Sequence, residues 1–208
     1  MEDKKKFGFK QSKIDGSELI FGAGIQQQIP EKYSLKEFLP PVINQGNATI
    51  CVPVSISAYL NWKENLKDGS KKDNHINYFE LYDLYGEAEG MTFKDAFRHL
   101  RHSGITSDAG VLKIGQYARI KSSFALRFAI LMNGPCFGAL PVYNETDNFW
   151  IKREGDELLA FHAIAIVGYD NSGFIIRNSW GSSFGSEGYT KIPNEDFGKF
   201  IELWSIIN

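Results

Sequence analysis

Cys51 is followed by Pro53 and a long apolar run to Trp62. Proline is tolerated in the first turn of a helix, where its missing N–H would have no partner. Cys51 is therefore expected at the N-terminus of a buried helix. The unpaired N–H groups and the dipole there favour the thiolate, the nucleophilic form of the side chain. A thiolate needs a base to take its proton, and His162 offers one within Phe161-His-Ala-Ile-Ala-Ile-Val-Gly-Tyr169. A lone histidine in an apolar strand is more often a satisfied core residue. Here, though, a strand, a turn at residues 169–173 and a return strand can bring Asn178 beside it. The Asn178 amide can accept from one imidazole nitrogen and aim the other at sulfur, and being neutral it orients the ring without pulling the proton away. Nucleophile, base and orienter are the elements of covalent acyl transfer.

The second cysteine, Cys136, lies between Pro135 and Phe137 at the start of a strand-like run and reads as a small buried hydrophobe. His99 and His102 lie three apart on a clear helix. The local sequence supplies too few further ligands for a metal, so both are expected on a solvated face.

The elements that must position these groups follow from periodicity. Residues 52–66 are apolar on most sides and too long for a typical strand, which argues for a buried helix. A short amphipathic segment covers residues 78–85. Residues 92–103 form the clearest helix: Thr92 can cap with Asp95 reaching back, Phe93, Ala96, Phe97 and Leu100 share a face, and Gly104 stops it. Residues 122–133 repeat that pattern before Gly134-Pro135. Strand-like runs follow at 136–143, 160–169, 173–178, 189–192 and 200–207. Helices first and strands second predict an α+β chain of two lobes. Residues 1–29 are glycine-punctuated without helical period and read as an extended arm, with Phe7, Phe9, Ile20 and Phe21 as apolar anchors.

Gln45-Gly46, six residues before Cys51, Asn178-Ser-Trp180-Gly181 and the extended block around His162 resemble the papain family of cysteine proteases in order and spacing. The resemblance covers roughly residues 30–208 and is thinnest in the middle. It implies a papain-like two-lobe fold, a helical lobe and an antiparallel β-barrel-like lobe with the active-site cleft between them. It divides the chain into an arm, 1–29, and a peptidase domain, 30–208. It implies a peptidase, expected to be an endopeptidase, working through a Cys51–His162 pair and an acyl-enzyme. Gln45 and the Cys51 N–H would receive the oxyanion, and Trp180 would shield the His162–Asn178 bond. Gly90 would bind substrate backbone, and Met91, Phe93 and Ala163 would wall an apolar S2 pocket. No metal or organic cofactor is implied. Alternative readings are a catalytically silent binding module and a thiol acyltransferase or amide hydrolase.

Three departures bear on this reading. Thr49-Ile50 replaces the family's Gly-Ser before the nucleophile, Val52 its following tryptophan, and Met91 the second glycine of the substrate-binding pair. Ala48 stands where the family has a disulfide cysteine, and with two cysteines in all the chain is expected in a reducing compartment such as the cytoplasm. A net charge of −2 gives no case for nucleic acid or an anionic membrane, and no apolar stretch is long enough to cross a bilayer. A monomer acting on peptide or protein substrates is expected. The arm is expected either to lie through the cleft and inhibit or to strap the lobes permanently.

Overall fold

The computed structural model describes residues 7–22, 27–85 and 90–207. Four helices come largely from the first two-thirds of the chain: α1 (Cys51–Asp68), α2 (Tyr78–Tyr85), α3 (Phe93–His102) and α4 (Ser123–Asn133). Helix α1 is buried on every side from Cys51 to Asn61, so its sequence shows no polar face until the last two turns. The Thr92 hydroxyl accepts from the Asp95 N–H at 3.0 Å and caps α3, and Ser122 does the same for α4 through the Ala125 N–H at 3.1 Å. Gly134 ends α4 with φ +91°, and a Cβ there would meet the Trp62 ring at 2.3 Å. That close approach ties the end of α4 to α1.

The strands are β1 (Tyr33–Ser34), β2 (Ile105–Ser107), β3 (Gly110–Leu112), β4 (Gln116–Arg119), β5 (Cys136–Val142), β6 (Ala160–Asp170), β7 (Gly173–Arg177), β8 (Tyr189–Pro193) and β9 (Glu202–Ile207). β2 and β3 pair as a separate ribbon. The rest form one antiparallel sheet in the order β4-β9-β5-β6-β7-β8, with β1 on β6. The sheet follows an open path. Its residues are buried on both faces in β5 and most of β6, which explains their unbroken apolar sequences.

Two cores result. One gathers α4 with one face of β5, β6 and β7 around Trp150, Tyr169 and Phe174. The other gathers α1, α2 and α3 with the opposite face of the sheet, where Phe137, Ala139, Ala163 and Trp204 meet Phe93 and Phe97. α1 meets β6 between the two cores, with Cys51 on the one element and His162 and Ala163 on the other.

The arm pairs with the body at two places. Phe9 forms a parallel bridge with Met91, and Ile20 a parallel bridge with Arg119 at the outer edge of β4. Phe9 is buried, and Phe7 and Phe21 are half-buried. Ile20, expected as an apolar anchor, leaves its side chain exposed and holds by backbone alone. Of the two histidines on α3, His102 is exposed and His99 half-buried, against the expectation of two solvated rings. Among the described residues no group of three or more His, Cys, Asp or Glu is placed to hold a metal.

Candidate active site

Cys51 opens α1 and is fully buried. The backbone N–H groups of Ala163, Gly8, Val52 and Cys51 itself lie close enough to its sulfur to favour the thiolate. Two of these are unpaired donors of the helix N-terminus. Ala163 brings the β6 strand to the sulfur one residue from His162, and Gly8 brings the arm.

The His162 Nε2 and Asn178 Oδ1 are 2.8 Å apart. The β6–β7 register explains the meeting: Ala165 pairs with Arg177, so His162 stands one diagonal step from Asn178. The Ser179 N–H donates to the same Asn178 oxygen at 2.8 Å, fixing the amide. Trp180 stacks on the imidazole at 4.8 Å between centroids, and Phe149 meets it edge-on at 5.9 Å. Both rings exclude water from the His162–Asn178 bond. In this arrangement Nδ1 is the nitrogen on the far side of the ring from Asn178.

Gln45 is held from three directions. Its backbone N–H donates to the Ser179 carbonyl at 2.8 Å, its Nε2 donates to the Ala48 carbonyl at 2.9 Å, and its Oε1 accepts from the Ser179 hydroxyl. The loop before it is clamped by Arg177, whose guanidinium donates to the carbonyls of Pro40 and Pro41, both at 2.8 Å, and to the Tyr189 hydroxyl at 2.7 Å. Ser179 and Arg177 were missed by sequence reasoning. The signal for Arg177 was present: a charged residue ends the otherwise apolar strand Gly-Phe-Ile-Ile-Arg, and a buried charge needs partners.

Met91, Phe93 and Ala163 form one buried cluster, and Phe9 of the arm lies in it with its ring 5.6 Å from that of Phe93. Across the sheet, Ala163 pairs with Ala139 and Ala139 with Glu202, so a carboxylate ends the row. Glu202 is buried, accepts from the Ser12 hydroxyl at 3.1 Å, and has a second oxygen without a partner. Burial pushes its carboxyl above the usual range, with the Ser12 bonds opposing. The sequence reading made this region wholly apolar and did not include Glu202.

The arm fills the line from His162 to Glu202. Phe7 lies edge-on to His162 at 5.9 Å and to Trp180 at 6.1 Å. Gly8 follows at the sulfur. Its carbonyl accepts from the Met91 N–H at 2.9 Å, and Lys10 donates back to the Met91 carbonyl at 2.9 Å. The fit admits glycine alone: a Cβ on Gly8 would stand 1.9 Å from the Thr49 carbonyl oxygen, and one on Gly90 would stand 2.1 Å from that of Gly8. Gly90 also has φ +95°, a left-handed conformation.

This cover changes the thiol. Desolvation outweighs the four N–H donors and pushes Cys51 up from 9.0 to about 11. The expectation of a thiolate at mildly acidic pH is therefore not met with the arm in place. The helix N-terminus is where sequence put it, but the chain's own residues 7–9 exclude the water that would stabilise the charge. Cys136 is raised further by burial, as befits its structural place.

Comparison with known proteins gives a consistent picture. The family model of the papain family cysteine proteases matches residues 102–200. A cathepsin B-like cysteine proteinase of Haemonchus contortus is 31% identical over 75 residues, covering 33% of this chain and 22% of that protein. A cathepsin L-like proteinase of Fasciola hepatica is 22% identical over 199 residues, covering 79% of this chain and 60% of that one. The chain thus spans less than two-thirds of either relative's length. Among solved structures, xylellain, a cysteine protease from Xylella fastidiosa, superposes with a TM-score of 0.81 at 19% identity, covering 98% of this chain and 97% of that one. Digestive procathepsin L2 from the larval midgut of Tenebrio molitor gives 0.73 at 19% identity, covering 92% and 74%. These likenesses establish a shared fold.

Proposed function

We propose that this chain, which has a papain-like fold and matches the papain family model over residues 102–200, is a cysteine-type peptidase held inhibited by its own N-terminal arm. The observation that carries the activity is the meeting at Cys51: helix N-terminal N–H groups and the Ala163 N–H converge on its sulfur, and the residue before Ala163 is a histidine already oriented by Asn178.

In the reaction, Cys51 gives its proton to His162 Nδ1 and attacks the peptide carbonyl. The imidazolium then protonates the departing amine, and water hydrolyses the thioester with His162 as base. Asn178 keeps Nε2 engaged, so the working nitrogen stays aimed. The Cys51 N–H and the Gln45 side chain, braced by Ser179 and Ala48, receive the oxyanion. Removing a donor of that kind costs about 3–4 kcal/mol of transition-state stabilisation.

The arm supports the inhibited state by its direction. It offers the sulfur a backbone N–H, while the Gly8 carbonyl is taken by Met91. No Gly8 carbonyl carbon is presented for attack, so the arm blocks the cleft without being a substrate there. Its Phe9 occupies the cluster assigned to the S2 pocket. The free, buried state of both cysteines fits work in a reducing compartment.

Digestion of a peptide library by the protein with a reductant, before and after displacement of the arm, tests this. Cleavage should appear on displacement, vanish in Cys51→Ala, and persist in Cys136→Ala. Peptide transfer to an added amine without hydrolysis would make the chain an acyltransferase, and no turnover at all would leave it a binding module.

A further inference from the structure

Away from the cleft, a cavity of about 340 Å³ opens on the helical lobe. Ser57 of α1 lines it together with Asp73, His75, Tyr78 and Phe79, from the loop that leads into α2 and from the first turn of that helix. Its size lies at the small end of the range of ligand pockets. None of Gln45, Cys51, His162 and Asn178 lines it, so the reaction described above makes no use of it.

The lining offers acceptors and rings. One oxygen of Asp73 accepts from the His75 N–H at 3.0 Å, and His75 itself stands at φ +46°, a left-handed conformation uncommon for a residue with a Cβ. The His75 Nδ1 lies 2.6 Å from an Asp108 carboxylate oxygen, so a charge on the ring is balanced there. Asp73 makes no ion pair among the described residues, and no lysine or arginine lines the cavity. A negative charge is therefore left over whichever form His75 takes. The Ser57 hydroxyl spends its proton on the Val54 carbonyl at 2.7 Å and keeps its lone pairs. The Tyr78 and Phe79 rings lie 5.0 Å apart, and Phe79 is 48% exposed, a large ring left at the surface. Burial and then the Asp73 charge push the Tyr78 hydroxyl above its usual range, so the field of Asp73 reaches this ring.

We propose that this cavity is a second binding site, for a small organic cation carrying a guanidinium or primary ammonium group. The Asp73 carboxylate accepts its N–H groups, the Ser57 oxygen accepts a further hydrogen, and the Tyr78 and Phe79 rings receive its charge. An anion meets Asp73 and Asp108 with no lysine or arginine to offset them. A bare metal ion does not suit the site either, since among the described residues no group of three His, Cys, Asp or Glu is placed to hold one. The site stands apart from the peptidase reading and from the state of the arm.

The test titrates the full chain with agmatine, which carries both cationic groups, and follows the His75 ring by NMR. The chain has four histidines, and the His75 signal is the one lost in His75→Gln. Agmatine should shift it saturably and lower its titration midpoint, which the Asp108 hydrogen bond holds up, because a second cation disfavours the imidazolium. Glutarate, an anion of similar length, should do neither. Asp73→Asn should weaken agmatine binding by about tenfold or more through the lost charge, and Phe79→Ala by about two- to fivefold. Both positions are exposed, so melting should hold in both variants. Glu202→Gln should leave binding unchanged, which separates this site from the buried carboxylate of the cleft. Equal binding of acetyl-arginine amide would assign the cavity to an arginine side chain of a partner, and binding of agmatine alone to a free amine; either upholds a cation site. No saturable shift, an equal response to glutarate, or full affinity in both Asp73→Asn and Phe79→Ala would overturn it.

Discussion

The Gly8 N–H is directed at the Cys51 sulfur while the Gly8 carbonyl is directed away from it, to Met91. The thiol is therefore surrounded by four N–H groups and buried from solvent. Raised to about 11, it is neutral throughout the physiological range. Alkylation of the intact chain should be slow at pH 7 and climb only toward pH 11. In Gly8→Ala water returns, the N–H donors and His162 dominate, and a reactive plateau should extend below the ordinary thiol value of about 8.5. Identical pH–rate profiles for the two proteins would refute the assignment of the shift to the arm.

Phe9 marks what the vacated pocket accepts. Met91, Phe93 and Ala163 would bury an apolar side chain two positions before the scissile bond, worth about 1.5–3 kcal/mol, or an order of magnitude or more in kcat/KM. Matched peptides with leucine and lysine at that position measure it, and equal rates would show that the pocket lies elsewhere.

Glu202 sets a pH dependence. Its folded pKa lies above the usual value, so its contribution to stability is fully present below about pH 4.3 and is lost as pH rises through the raised value. Asp15 and Asp170, held low by Ser17, Lys94, Lys191 and Ser172, contribute above their ordinary range and lose stability only as pH falls through their lowered values. His75 is raised by Asp108 and slopes the same way as Glu202. The melting temperature should therefore rise as pH falls from 8 toward about 4.5, and Glu202→Gln should remove the Glu202 share of that rise while leaving the share due to His75. An unchanged slope in Glu202→Gln would show that Glu202 is not its source.

Arg177 supports the oxyanion loop without touching substrate. Its fork makes three hydrogen bonds that a lysine cannot reproduce. Arg177→Lys should destabilise the fold by about 2–3 kcal/mol and lower kcat with little change in KM, as Gln45 loses its frame. Thermal melts and steady-state kinetics check both, and a KM effect alone would mean that the loop binds rather than activates.

The helices α3 and α4 were legible because capping residues and apolar spacing are local, and each cap is made as the sequence suggests. The β6–β7 meeting of His162 and Asn178 was legible because the strands are consecutive and the turn short. The pairings of the arm were not. They join Gly8 and Phe9 to residues eighty positions away through backbone atoms, and a glycine leaves no periodic trace. Nor was Glu202 as a buried group, since a single acid in a closing strand reads as solvated until the row Ala163–Ala139–Glu202 is seen.

Arg119 directs its backbone N–H and carbonyl outward from the last strand of the sheet, and residues 19–21 answer both. A chain begun at Ile29 would leave β4 as a bare strand edge, a template for pairing with another molecule. Such a protein would lose more than a support. Its behaviour would become concentration-dependent, with self-association competing against folding, so the short strand outside β4 guards solubility as well as shape.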